Sequence, residues 1–321
     1  MESALLSTLV RGARRPQRVL RFAVDKTREL MFWDRLYGAM REPKLRGPVP
    51  QDDRAQGRLL VELARQGFAL RSFRVDPDDF RRFRALARYE QFFAYAGGGR
   101  APDLPEKILE HYLAATLLEL GPADVVLDVA SQHSPAPAIY ERLFNCRAYC
   151  QDLQFAPGWN GRRIGGNAAS MPIPDGFATA LTLHNAFEHF EGDSDARFIE
   201  EAGRVLRPGG RMCIVPLFLN DRYAIQCDPV ALPAGGAALE PDAIACCARG
   251  WRDRHGRFYD VPHLISRIRD RLGPLRMEIV RVENAWEIDP TCYVRYLALF
   301  ERTDRAQSRS ECSSSTIPFV A

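Results

Sequence analysis

No stretch of eighteen residues in this chain of 321 lacks a charged side chain, which excludes an ordinary membrane-spanning helix. The N-terminus also lacks the short apolar block of a secretory signal, so the expectation is a cytoplasmic protein. Repeated C-x-x-C pairs are absent, and the eight scattered cysteines read as reduced thiols, mostly buried, rather than as a zinc site. No zinc or magnesium constellation stands out, because His111, His133, His255 and His263 have no ligand-type partners close in sequence. An internal repeat is missing too.

What is present suits a folded protein: 46% of residues are apolar, 26% charged and 10% aromatic. The net charge of +3 hides an asymmetry, since residues 1–50 hold eleven Lys/Arg against five Asp/Glu. Arg11, Arg14, Arg15, Arg18 and Arg21 beside Leu9, Val10, Val19, Leu20 and Phe22 suit contact with an anionic membrane surface or nucleic acid. The plainer reading, a solvated helix face or loose arm, is favoured because Pro16 interrupts the pattern and Asp25, Glu29 and Asp34 dilute it. The cations gather at the front rather than around the candidate site, so no strong nucleic-acid signal emerges.

The organisation expected is a basic, partly helical arm over residues 1–50, closed by Pro43, Gly47, Pro48 and Pro50. A helical region over 51–103 follows, with Leu59, Leu60 and Leu63 on one stripe and Phe80, Phe83 and Ala87 on another. Pro105 opens an amphipathic helix carrying Ile108, Leu109, Tyr112 and Leu113, stopped by Gly121 and Pro122. Thereafter strand and helix patterns alternate: strand 125–130, helix 137–144, strand 148–153, strand 177–183, helix 193–206 and strand 211–219. A helix at 260–272 leads to strands 277–282 and 293–300, expected to pair as an antiparallel edge. Such alternation implies an α/β protein with a doubly wound, mostly parallel sheet over about 104–302. The tail 303–321 is serine-rich and reads as disordered.

In open sheets of this kind ligands sit beyond the carboxyl ends of the strands, at the point where strand order reverses. Asp128 lies in the first strand of the alternation and is followed by Val129-Ala130-Ser131-Gln132-His133-Ser134-Pro135. Asp152 ends the second strand, where an acidic side chain accepts from ribose hydroxyls in nucleotide-binding folds. Gly165-Gly166-Asn167-Ala168 comes next, and His184-Asn185 closes a later strand. The stretches NAASMPIPDGFATALTLHNAFEHF and EEAGRVLRPGGRMCIV resemble the pattern D-A-x-x-L-P-F-P-D-G-x-F-D, L-x-x-x-E-H, R-V-L-K-P-G-G of class I, Rossmann-like S-adenosylmethionine-dependent methyltransferases, type 11-like.

That resemblance, over roughly 105–219, implies S-adenosylmethionine as cofactor, with Asp152 on the ribose, Asn167 and Ala168 against the adenine, and Asp128, Ala130, Ser131, Ser134 and His184 around the remainder. It also departs from the family, which has acidic-x-Gly-x-Gly-x-Gly where this chain has Asp128, Ala130, Gln132 and Ser134. Only about ten residues separate Asp152 from Arg163, so the helix usual between strands two and three is short or missing. Asp128 and Asp152 each have a structural alternative, the satisfaction of backbone amides around a turn.

His184 and Glu188 stand four apart, and as a helical pair they would make a general base for a hydroxyl acceptor. Glu188-His189 matches a motif shared across unrelated substrates, which instead suggests a structural role. Residues 220–260 are where this family grows its substrate lid, and Trp251, Arg254, His255 and Tyr259 suit an anionic or sugar-bearing acceptor, with a solvated loop around an anchoring Trp as the alternative. The expectation is methyl transfer to an oxygen or nitrogen of a small molecule such as a sugar or glycan precursor. Its rivals are an inactive methyltransferase-like scaffold and a nicotinamide-dependent oxidoreductase, the latter missing G-x-G-x-x-G after strand one. Oligomeric state is left open.

Overall fold

A computed structural model describes residues 16–40, 43–96, 101, 103–232 and 239–303. In chain order its strands are β1 Lys44–Arg46, β2 Ala69–Phe73, β3 Val125–Val129, β4 Arg147–Asn160, β5 Arg163–Gly165, β6 Ala178–His184, β7 Leu206–Val215, β8 Ala224–Cys227, β9 Ile244–Cys247, β10 Gly256–Phe258, β11 Leu275–Val282 and β12 Tyr296–Arg302. The helices are α1 Pro16–Ala39, α2 Asp53–Arg65, α3 Pro77–Ala87, α4 Phe93–Ala96, α5 Leu104–Leu117, α6 Ala136–Phe144, α7 Ser194–Val205, α8 Val261–Arg267 and α9 Ala285–Ile288.

Two compact units emerge. The larger comprises residues 52–221 and 259–303 and holds an eight-stranded sheet in the order β2-β11-β12-β7-β6-β3-β4-β5. The pairs are parallel except those of β12, which runs antiparallel to both β7 and β11, and the returning end of β4, which runs antiparallel to β5. This is the doubly wound, mostly parallel sheet that the alternation predicts. β3 lies between β4 and β6, so the chain's first strand of this series has later strands on both sides, which is the topological switch point.

The local sequence accounts for most of these elements. Val126, Leu127 and Val129 are fully buried in β3, as a strand covered on both faces requires. Asp52 and Asp76 cap α2 and α3 by accepting from the first backbone amides. Phe80 and Phe83 of α3 meet the edge of the Tyr112 ring on α5, both at 5.7 Å between centroids. No crossover helix joins β4 to β5: residues 150–152 pair parallel with 163–165, while 157–160 fold back on the same strand as a hairpin. A Cβ added at Gly165 would stand 2.0 Å from the Ala156 carbonyl oxygen, so only glycine allows this double pairing.

Two expectations need correction. The region 51–103 is not purely helical, because Ala69–Phe73 forms β2 alongside β11. β11 and β12 do pair antiparallel but lie inside the sheet, with β2 as its edge. The sequence ALRSF hides this strand because an edge strand exposed over four of its five residues needs no apolar alternation.

The second correction concerns boundaries. Residues 16–51 and 222–258 form one smaller unit, so the expected arm and the expected lid belong together. Its sheet runs β1-β9-β8-β10, with β1, β9 and β8 parallel and β10 antiparallel. Strands of three and four residues cannot stand alone, and each half of this unit supplies what the other lacks. Trp33 of α1 packs on Cys227 and Cys247, and the Met40 sulfur lies 3.2 Å from the Cys247 Sγ. The wholly buried Arg257 donates to the Tyr223 hydroxyl at 3.0 Å and pairs with Glu240. Arg11, Arg14 and Arg15, Cys312 and the serine-rich tail lie outside the described residues; the other seven cysteines are unbridged thiols.

Candidate functional site

A cavity of about 110 Å³ opens at the carboxyl ends of β3 and β6, at the switch point. Asp128 to Ser134 form one wall, His184 and Asn185 another, and Tyr95 and Lys107 the third. The wall after β3 is a tight bend in which Ala130 (φ 53°) and Gln132 (φ 48°) are left-handed, the conformation that favours glycine.

Side chains from β4 hold this bend. The Gln151 amide oxygen accepts from the Ala130 N–H at 3.2 Å, and its nitrogen donates to the Gly166 carbonyl at 2.5 Å. Asp152 accepts from the Gln132 N–H and the Gln154 N–H, each at 2.8 Å. Ser131 donates its N–H to the Gln151 carbonyl at 2.9 Å, and the Ser134 hydroxyl accepts from the Ala136 N–H at 3.2 Å, at the start of α6. Asp152 therefore anchors the backbone, and its carboxylate retains further lone pairs for a ligand hydroxyl.

Asp128 is almost fully buried. Its Oδ1 accepts from the Thr182 hydroxyl at 2.8 Å, while Oδ2 makes no hydrogen bond. Burial raises this carboxyl to about 7, against the Thr182 hydroxyl, which favours the charged form. His184 lies beside it with Nε2 at 3.6 Å from Oδ1 and 3.1 Å from the Tyr140 hydroxyl. Tyr140 already donates to the His111 carbonyl at 3.0 Å, so its oxygen accepts the Nε2 proton of His184 and the Nδ1 lone pair is left bare. His184 Nδ1 is buried without a partner, and burial lowers this imidazole to about 3.

The floor beneath is aromatic. His111 stacks with Tyr89 and Tyr95, meets the His184 ring at 4.6 Å, and hydrogen-bonds the Tyr89 hydroxyl at 2.7 Å. Lys107 reaches the cavity from α5, with its Nζ 3.6 Å from Asp103 and 5.8 Å from the Tyr95 ring.

The structure thus brings Asp128, Ala130, Ser131, Ser134 and His184 around one cavity, with Asp152 pinning its wall. Asn167 and Ala168 lie apart, in a turn after β5, where the Asn167 side chain accepts from the Ala169 N–H at 2.9 Å. The helical pair of His184 and Glu188 does not form: Phe187–His189 is a single 3-10 turn, and Glu188 Oε1 faces His189 at 3.5 Å. A neutral imidazole near 3 is also ill matched to proton removal at physiological pH.

The four lid residues divide between the two units. Tyr259 is buried in the larger unit, donating to Asp195 at 2.6 Å beside Arg267. In the smaller unit His255 is buried, Arg254 is exposed, and the Trp251 ring packs against Gly256. Gln151, Lys107, Tyr95, Tyr140 and Thr182 were not singled out in the sequence; Gln151 had a signal in standing directly before Asp152, and the others have none outside three dimensions. A larger groove, about 650 Å³, crosses the opposite end of the sheet near Arg211, Arg276 and Glu301, far from the carboxyl ends of the parallel strands. Among the described residues no group of three or more His, Cys, Asp or Glu can hold a metal.

Residues 127–214 match the family described as a methyltransferase domain. A demethylmenaquinone methyltransferase of Mycobacterium sp. (strain JLS) is 30% identical over 43% of this chain and 66% of its own length. The chain thus spans just under two thirds of the curated relatives it matches. Solved structures similar to it include the Burkholderia thailandensis 1,6-didemethyltoxoflavin-N1-methyltransferase, at 17% identity over 72% of this chain and 92% of that one, with a TM-score of 0.41. Another is geranyl diphosphate C-methyltransferase from Streptomyces coelicolor, at 14% identity over 61% and 76%, with a TM-score of 0.39.

Proposed function

We infer from its methyltransferase domain, residues 127–214, that this chain transfers a methyl group from S-adenosylmethionine to an oxygen or nitrogen of a small molecule. The observation carrying this reading is the pair of unpartnered buried acceptors, Asp128 Oδ2 and His184 Nδ1, inside a cavity at the switch point. Two such acceptors call for a ligand that brings donors.

The residues fit this cofactor. Asp128 and His184 would hold its ammonium, Lys107 its carboxylate and Asp152 its ribose hydroxyls, with Asn167 and Ala168 on the adenine side. The cavity, about 110 Å³, suits the amino-acid end, so the nucleoside would lie along the more open surface by Asp152. When bound, the sulfonium supplies an activated methyl group. The chain's own part is to position: Gln151 and Asp152 hold the bend, the Thr182 hydroxyl fixes the Asp128 carboxylate, and Tyr140 fixes the His184 ring.

Calorimetry with S-adenosylmethionine and S-adenosylhomocysteine tests this reading. Binding of both, weakened about ten-fold or more in Asp152→Asn, is expected. A second reading, a methyltransferase-like scaffold without activity, is favoured by Ala130 and Gln132 occupying left-handed positions in the bend. Absence of binding at millimolar ligand selects it. Should the chain bind, an acceptor panel comprising a sugar, an amine and a demethylated quinone would separate the substrate classes. The quinone is included because the curated relatives are named for demethylmenaquinone.

A further inference from the structure

We propose that the outward face of α1 lies in the headgroup region of an anionic phospholipid membrane and holds the protein at its surface. The inward face of this helix is committed, with Trp33 buried on the small sheet. The outward face carries Leu20, Val24 and Met31, which are 68%, 49% and 71% exposed and recur at four- and seven-residue spacing on one side of the helix. Leu30, 72% exposed, flanks them. Exposed apolar residues aligned in this way mark a contact surface rather than scattered exceptions.

Charge identifies the partner. Arg28 and Arg35 are exposed on the same helix, and residues 1–50 carry eleven Lys/Arg against five Asp/Glu. A second copy of so cationic a segment would be repelled, whereas an anionic surface complements it. A helix with an apolar stripe beside arginines lies in the membrane plane. Among the described residues no helix is long and apolar enough to cross a membrane, so the contact is peripheral.

The experiment is co-sedimentation of the full chain with vesicles of phosphatidylcholine alone and of phosphatidylcholine with phosphatidylglycerol. It requires neither cofactor nor acceptor, so its outcome is independent of the methyltransferase reading. Retention on the anionic vesicles alone, lost at high salt, is expected. The double variant Leu20→Gln/Met31→Gln should lower the partition about ten-fold. Arg28→Gln/Arg35→Gln should lower it to a similar degree and flatten the salt dependence. Circular dichroism matching the parent chain would show that the variants fold. No retention by anionic vesicles, or equal retention of the apolar variant, would overturn the proposal. So would a dimer, detected by light scattering, that the apolar variant abolishes, since the face would then serve self-association.

Discussion

Asp128 sets function against stability. Its folded carboxyl near 7 stands above the ordinary 3.8, so the native state holds a proton that the unfolded chain releases. The contribution is a stability fully present below about 3.8 and lost as pH rises toward about 7, on the order of 4 kcal/mol when complete. Asp128→Asn removes that dependence while Thr182 can still donate to the amide oxygen. Melting measured from pH 4 to pH 8 should show the variant gaining on the parent chain as pH rises. Affinity for S-adenosylmethionine should fall at least ten-fold at pH 8, where the parent carboxylate is charged, and by less toward pH 4. A variant that binds as tightly as the parent would remove Asp128 from the ligand site.

At the scale of elements, the bend between β3 and α6 has Ala130, Gln132 and Ser134 where the pattern that the sequence resembles carries glycine. Holding Gln132 at φ 48° costs about 1 kcal/mol, which Gln132→Gly would relieve, less the extra entropy that glycine gives the unfolded chain. Stability should therefore change by less than about 1 kcal/mol, and calorimetry should find cofactor affinity raised if the side chain obstructs the cavity it lines. Gln151→Leu frees the Ala130 N–H and the Gly166 carbonyl together and should cost about 2–4 kcal/mol in denaturant unfolding.

The sequence made part of this legible. Val125 to Val129 reads as a buried strand because both faces are covered, and Asp128 stands out as a charge inside it. The left-handed bend could be suspected only through resemblance, because alanine and glutamine give no local sign of positive φ. The role of Gln151 was hidden for another reason: its place before Asp152 marks it, but its two partners come from different strand ends, and only folding brings them within reach of one amide.

At the scale of the molecule, the alternating patterns of residues 104–302 gave the large sheet, but nothing local announced that 44–46 would pair with 244–247. Strands that short carry little pattern, and their register is set by a partner about 200 residues away. The arm is therefore structural within the smaller unit. Removing residues 1–51 should strip Trp33 and β1 from Cys227, Cys247 and β9, leaving apolar surface that binds anilinonaphthalene sulfonate. A truncated chain as soluble and dye-silent as the parent would contradict this.

Because α1 and β1 leave the ribosome before the intervening stretch Asp52–Asp221 and β8 to β10 after it, the smaller unit cannot close as it is made. At ordinary elongation speeds about 170 residues take roughly 10 to 30 s, during which Trp33 and the β1 edge await their counterparts. The nascent helix is thus a natural client for a chaperone or a bilayer, and the two halves of the smaller unit meet late.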